Sequence, residues 1–194
     1  MDHILSLIIF FPAIAGLLGF LVNKESIRVF GISVSAIEFL LTIVLWLAFD
    51  SGNAGFQFVE YYALIPVYGM NYYIGVDGIS LFLVILTSFT TMIALIALNI
   101  EKDIKNLILS VFFLEMTMVG VFLILDIIWF YAFWELSLIP MLYIIGAWGG
   151  ERRMYAAIKF FLYTFAGSVL MLVGILYMGF LYHEATGVWS FALP

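Results

Sequence analysis

Long apolar runs separated by short polar segments dominate the chain. Each run is long enough, at 1.5 Å per residue, to cross a hydrocarbon core of about 30 Å as a helix. The run from 107 to 148 is 42 residues long and would make a helix of about 63 Å, so it is predicted to turn back at Asp126. The pattern therefore predicts six transmembrane helices, at about 4–22, 29–49, 78–98, 107–125, 127–148 and 154–182.

The segment 50–76 does not fit this pattern. It is rich in Gly, Asn and aromatic residues and contains no Lys or Arg. Aromatic side chains are enriched where the membrane meets water, so we expect an interfacial loop. Weak alternation over 56–61 indicates an extended conformation within it.

The basic residues predict an orientation. If the six spans alternate, the loops 23–28, 99–105 and 149–153 share one side, and the segment 50–76, the turn at Asp126 and the tail share the other. Six of the seven basic residues lie on the first side and none on the second: Lys24, Arg28, Lys102, Lys105, Arg152 and Arg153. By the positive-inside rule the first side is cytoplasmic and both ends of the chain lie outside. The start of the chain lacks the basic residues of a signal peptide, so the first run is expected to be retained.

Composition supports an all-α integral membrane protein. Hydrophobic residues make up 66% and charged residues 10%, against roughly 25% charged residues in soluble domains, and the mean hydropathy is +1.21. We expect one transmembrane domain over 1–194. The chain has no Cys and no paired His for haem, so no cofactor is expected in it. The sequence contains no basic patch of the kind that binds nucleic acid, so no such partner is expected.

Two carboxylates are predicted to lie near the membrane midplane. Glu135 lies nine residues after the turn at Asp126, or roughly 13 Å, and Glu115 lies roughly 15 Å from the opposite loop. A charged side chain at the centre of a membrane helix costs roughly 2.5–3.5 kcal/mol on insertion scales, so such residues usually mark functional sites. Pro140 also lacks the amide that would bond the Leu136 carbonyl. We therefore expect Glu135 and Glu115 to be functional residues.

Lys159 and Glu38 each allow two interpretations. Lys159 lies on the sixth span with Tyr155 and Tyr163 one turn away on either side, which places a polar stripe on one helix face. This stripe would line a buried ion path, or Lys159 would extend to the cytoplasmic headgroups. Glu38, near the middle of the second span, is either functional or a side chain that is merely protonated or bonded to a hydroxyl.

Several motifs from residue 75 onward resemble the antiporter-like membrane subunits of respiratory complex I. These motifs are 75–80 (GVDGIS), 120–122 (GVF) with Asp126, 133–140 (FWELSLIP), 159–164 (KFFLYT) and 185–191 (ATGVWSF). The variant LIPM at 138–141 is similar to the M-type members rather than the L- or N-type members. Subunits of multisubunit cation/proton antiporters and membrane-bound hydrogenases are the alternatives within the superfamily.

The resemblance implies roles for individual residues. Glu135 matches the proton-carrying glutamate of the fifth span, which members pair with a lysine on a later helix. Glu115 matches an acidic position of the fourth span, and Lys159 matches a lysine at the start of the sixth. Asp77 and Asp126 match positions that we interpret as structural. Members continue through further helices, so the chain is expected to be the N-terminal part of a larger antiporter-like bundle, truncated and without the partner lysine.

The function implied by the resemblance is that of a proton-translocating subunit of NADH:quinone oxidoreductase. Its expected partners are the L-, N- and K-type membrane subunits and the lipid bilayer, in the bacterial inner (plasma) membrane. A subunit of a Na⁺/H⁺ antiporter that is not coupled to electron transfer is the alternative. A third interpretation is a structural membrane subunit whose acidic residues serve packing alone.

Overall fold

The computed structural model describes residues 3–100 and 102–193, which form six helices and one β-hairpin. The elements are α1 (Ile4–Gly19), α2 (Ile27–Ala48), β1 (Gln57–Ile65), β2 (Met70–Val76), α3 (Gly78–Ala97), α4 (Ile104–Leu123), α5 (Ile127–Trp148) and α6 (Arg153–Thr186). Helices α2 to α6 are long and apolar enough to cross a membrane, and α1 is a shorter apolar helix of 16 residues. The expected helical membrane bundle is confirmed.

Helix α4 lies at the centre of the bundle. It packs against α1, α2, α3 and α5, whereas α6 packs on α5. Much of α6 is exposed, and it continues to Thr186, four residues beyond the expected limit of 182. It ends there because Gly187 adopts a left-handed conformation with φ 75°, which terminates a helix readily at glycine.

The β-hairpin occupies most of the segment that was expected to be an interfacial loop. Its strands are antiparallel, with Tyr62 opposite Tyr72. The turn between them includes Gly69, whose φ is 64°. A Cβ at Gly69 would also lie 2.0 Å from the Trp189 carbonyl oxygen, so only glycine fits between the hairpin and the C-terminal tail. We call this end of the bundle the hairpin end, and the opposite end, which carries the six basic residues, the basic end.

Asp126 holds the turn between α4 and α5 at the hairpin end. Its fully buried carboxylate accepts hydrogen bonds from the amides of Ile128 (3.0 Å) and Trp129 (3.3 Å), which begin α5. Its other oxygen accepts from the amide of Asn71 in β2 at 2.9 Å. One side chain therefore caps a helix and attaches the hairpin to it, at the position where the sequence predicted the turn.

Two further carboxylates cap helices at the hairpin end. Asp77 accepts from the Ser80 amide at 2.7 Å, and the Ser80 hydroxyl accepts in return from the Asp77 amide, which completes a capping box at the start of α3. The Ser80 amide, with smaller contributions from other bonds, holds the pKa of Asp77 below its usual value. Glu60 of β1 accepts from the amide of Ser6, in the first turn of α1, at 3.1 Å. The positive ends of these helices thus face negative side chains, which is favourable.

Basic side chains cap helices at the basic end. The Lys105 ammonium donates to the carbonyls of Phe20 (2.6 Å) and Val22 (3.0 Å), at and just beyond the end of α1. The Arg28 guanidinium donates to the Ile96 carbonyl near the end of α3 at 3.4 Å. Cations stabilise the negative end of a helix dipole. Two of the basic residues that lie together at this end of the bundle therefore also stabilise the ends of α1 and α3.

We expect Asp126→Ala to lower the free energy of unfolding by about 2–4 kcal/mol. The substitution removes the cap of α5 and leaves the Asn71 amide without a partner. Detergent-induced unfolding of the purified protein measures the change. Ser26→Ala is the matched control, because Ser26 precedes α2 without making a side-chain cap bond. Equal stability of the two variants would contradict the role assigned to Asp126.

Candidate buried carboxylate site

A layer of polar side chains divides the apolar core of the bundle in two. One apolar cluster lies toward the hairpin end and includes Leu45, Val84 and Met116, and the other lies toward the basic end and includes Val34, Leu95 and Phe112. Five of the buried polar residues of α2, α3 and α4 lie between these clusters. We call them the polar layer: Glu38, Thr42, Thr87, Ser88 and Glu115.

Helices α2 and α3 meet within the polar layer through two hydroxyl groups. The hydroxyls of Thr42 and Ser88 lie 3.0 Å apart and are both buried. Each also lies within hydrogen-bond distance of a carbonyl of its own helix, Phe39 for Thr42 and Ile85 for Ser88, so one hydroxyl donates across the helices and the other donates to its own carbonyl. Such hydrogen bonds join neighbouring membrane helices where apolar packing alone is no better than contact with lipid.

Glu115 is the acidic residue of α4 in the polar layer. Its side chain is 2% exposed, and neither carboxylate oxygen has a hydrogen-bond partner among the described residues. Thr91 of α3 lies beside it, and Glu38 of α2 lies within electrostatic range. The structure therefore places Glu115 in a buried site at the level of a second carboxyl group.

Glu135 lies in a different part of the bundle. It is half-buried, and its Oε1 atom is buried without a hydrogen-bond partner in the described part of the chain. Tyr131, one turn earlier on α5, lies beside Glu135 and beside Ser168 of α6. Because residues two apart on a helix point about 200° apart, Glu135 faces away from Phe133, which packs on Gly120 of α4. The structure thus places Glu135 toward α6 and does not join it to Glu115.

Lys159 is exposed on α6. Its ammonium lies 5.8 Å from the ring centroids of both Tyr155 and Tyr163, so the predicted polar stripe exists as a cation–π arrangement. Ala157, two residues before Lys159, is buried on the opposite face of the helix. Lys159 is therefore not assembled with either Glu115 or Glu135.

Pro12 is a feature of the bundle that sequence reasoning missed. It is buried inside α1, between Ile9 of one apolar cluster and Ala15 of the other. It has no amide to bond the Ile8 carbonyl, which is freed at the level of the polar layer. The proline within the first apolar run was the available signal, and it parallels Pro140 in α5.

A glycine sets the distance between α4 and α5. A Cβ built on Gly120 would lie 2.4 Å from Cδ1 of the Phe133 ring, so any side chain there would force the helices apart. The ring of Phe133 is itself buried in the hairpin-end cluster. Gly120 and Phe133 therefore define the packing that positions both Glu115, on α4, and Glu135, on α5.

The fold and this site define a class: helical membrane proteins that hold ionisable groups inside the bundle, a feature typical of ion and proton pathways. A family model described as "NADH:quinone oxidoreductase/Mrp antiporter, TM" matches residues 124–192. The chain is 42% identical over 185 residues to NADH-quinone oxidoreductase subunit M of Rickettsia felis. The aligned region covers 90% of this chain and 38% of the relative. It is also 46% identical over 153 residues to NADH-ubiquinone oxidoreductase chain 4 of Arabidopsis thaliana, covering 77% of this chain and 31% of the relative.

A solved structure shows the same fold. A chain of respiratory complex I from Thermus thermophilus with bound NADH superposes with a TM-score of 0.82 at 28% identity, covering 97% of this chain and 38% of that chain. This protein is a multi-pass membrane protein that belongs to the family of antiporter-like membrane subunits, which includes subunit M of NADH-quinone oxidoreductase. It spans about a third of the length of these relatives, 38% and 31%.

We expect Gly120→Ala to destabilise the protein by about 1–3 kcal/mol, because overpacking displaces a ring that has no room to move. Gly174→Ala is the control: Gly174 is an exposed glycine of α6, and no atom lies within 4 Å of the position that an added methyl group would take. That substitution should be neutral or stabilising by up to about 1 kcal/mol. Thermal unfolding in detergent compares the two, and a neutral Gly120→Ala would show that α4 and α5 are not held by this contact.

Proposed function

We propose that the chain forms part of a proton-translocating membrane subunit of NADH:quinone oxidoreductase, coupled to quinone reduction elsewhere in that complex. One observation carries the proposal: Glu115 and Glu135, in a chain 42% identical to subunit M, hold buried carboxylate oxygens without hydrogen-bond partners in the described structure. Such oxygens are suited to exchange protons, since the polar neighbours of the two carboxyl groups, Thr91 and Tyr131, are neutral hydroxyls and not cations that would hold a carboxylate ionised. We assign no redox cofactor to this chain.

Movement of a cation near Glu135 supplies a mechanism for driving protons. An ammonium about 7 Å from the carboxylate would favour its ionised form by roughly 2 kcal/mol at an effective dielectric of 20. Withdrawal of that cation would favour proton uptake. Moving one proton against about 150 mV costs roughly 3.5 kcal/mol, so several linked groups are needed. Lys159 does not occupy this position in the described structure and serves instead near the cytoplasmic entrance in this proposal.

The same proposal assigns the surroundings of the chain. Other membrane subunits of the L, N and K types would pack beside it in a bacterial inner membrane. The basic end would face the cytoplasm, because the six basic residues of the loops lie there. The hairpin end and the two ends of the chain would then lie outside.

A subunit of a Na⁺/H⁺ antiporter that is independent of electron transfer is the second candidate. The family model includes Mrp antiporters in its description, and the buried carboxylates would suit either process. The two candidates differ in their energy source: only the first requires NADH oxidation for proton movement. A purely structural subunit would tolerate neutralisation of Glu115 and Glu135 together.

We expect Glu135→Gln in the complete complex to reduce proton translocation by about a hundredfold, because the amide cannot carry a proton. NADH oxidation chemistry at the redox sites should survive. Proton uptake into membrane vesicles, measured with a pH-sensitive dye during NADH oxidation, tests this. Glu151→Gln, an exposed glutamate at the basic end, is the matched control and should pump normally. Undiminished pumping by Glu135→Gln would reject the assignment.

The proposed orientation can be tested by cysteine labelling, because the chain contains no native cysteine. Asn53→Cys lies before the hairpin and Glu25→Cys lies in the loop between α1 and α2, and both positions are exposed. In right-side-out vesicles a membrane-impermeant maleimide should label Asn53→Cys at once and Glu25→Cys only after permeabilisation. The opposite pattern would invert the orientation.

A further inference from the structure

Glu38 is a buried carboxyl group without a role in the site described so far. It lies on α2, 11 residues after the start of the helix at Ile27, or about 16 Å along its axis. The side chain is 0% exposed, and neither oxygen has a hydrogen-bond partner in the described ranges. Its face of α2 also carries Ser35 and Thr42, which are fully buried.

The ionisable group at the level of Glu38 is Glu115. Helices α2 and α4 both begin at the basic end and are in contact, and Glu38 and Glu115 each lie 11 residues after the first residue of their helix. No Lys, Arg or His among the described residues makes an ion pair with either of them. Thr91 of α3 is the polar neighbour on the Glu115 side.

Four hydroxyl groups of the surrounding helices do not donate to the pair. Those of Ser35 and Thr87 donate to carbonyls of their own helices, and those of Thr42 and Ser88 donate to such carbonyls or to each other. Each hydroxyl has one proton to donate. The Thr91 hydroxyl is directed toward Glu115, so Glu38 is left without a hydroxyl donor among the described residues.

Elementary electrostatics limits the charge that such a pair can hold. An unpaired ionised carboxylate in an apolar interior is strongly disfavoured, and two adjacent ones are disfavoured further. One proton placed between them removes one charge and forms a short charge-assisted O–H···O⁻ bond. That bond would give two of the four unpartnered oxygens a partner.

We propose that Glu38 and Glu115 form a carboxyl pair that shares one proton within the polar layer, and that Glu38 is thereby a further proton-carrying residue of this protein. The inference rests on the proposed function of Glu115. In one transfer cycle the pair gains a second proton, which forms an O–H bond on the anionic carboxylate, and then releases one proton to the next acceptor. No electrons move, and the pair returns to its singly protonated state.

Infrared difference spectroscopy and pumping in the intact complex test the pair. At neutral pH the spectrum of the native complex minus that of Glu38→Gln should contain the C=O band of a protonated or proton-sharing carboxyl group. Glu38→Gln and Glu115→Gln should each lower NADH-driven proton uptake about tenfold or more. The double variant should be no worse than either single variant, because residues that act as one unit are not additive. Ser35→Ala, on the same buried face of α2, should leave both readouts unchanged.

The outcomes separate this inference from the proposed function. If Glu135→Gln and Glu115→Gln stop pumping while Glu38→Gln pumps normally and shows no carboxyl band, the pair is overturned and the proposed function stands. If the band is present while Glu38→Gln pumps normally, the shared proton stands and its role in translocation is overturned. If Glu38→Gln fails to assemble, Glu38→Asp replaces it: a shifted band with partial pumping supports the pair, and an unshifted spectrum rejects it.

Discussion

The buried Asp126 carboxylate is the interaction on which the arrangement of α4 and α5 depends. It satisfies two amides at the start of α5 and the Asn71 amide of β2, in a position with no access to water. The peptides on either side are held as well, since the Leu125 amide bonds the Tyr73 carbonyl and the Ile127 amide bonds the Phe191 carbonyl. Three separate parts of the chain thus close around one turn. A tight turn keeps the end of α4 antiparallel to the start of α5, which places Glu115 and Glu135 at similar distances from the turn.

Buried backbone groups cannot be left unpaired in a membrane, and the two ends of the bundle meet this requirement with opposite charges. The hairpin end uses Glu60, Asp77 and Asp126 to accept from free amides, and the basic end uses Lys105 and Arg28 to donate to free carbonyls. Between the two ends, the polar layer contains buried side-chain groups that are not paired in this way. Its hydroxyls are matched to carbonyls, but its carboxyl oxygens are not, so local stability does not account for them.

The sequence was sufficient to predict features that depend only on lengths and positions along the chain. Run lengths predicted the helices, and the excess length of 107–148 predicted a turn at Asp126; in the structure α4 ends at Leu123 and α5 begins at Ile127. The sequence did not predict how each helix is rotated about its axis. The neighbours of Glu38 and the exposure of Lys159 depend on this rotation, because it decides which helix faces pack together. The hairpin was only partly visible, because 70–76 has no clear alternation and is ordered by bonds to residues far along the chain, such as that between Tyr73 and Leu125.

The contacts of Lys105 and Arg28 connect the folded bundle with its biogenesis. During synthesis the cell's insertion machinery responds to positive charges beside a new helix and retains them in the cytoplasm. In the finished bundle the same two side chains close the ends of α1 and α3. In the proposed orientation the residues that direct insertion are therefore also residues that complete the native packing, and loss of either charge would weaken both.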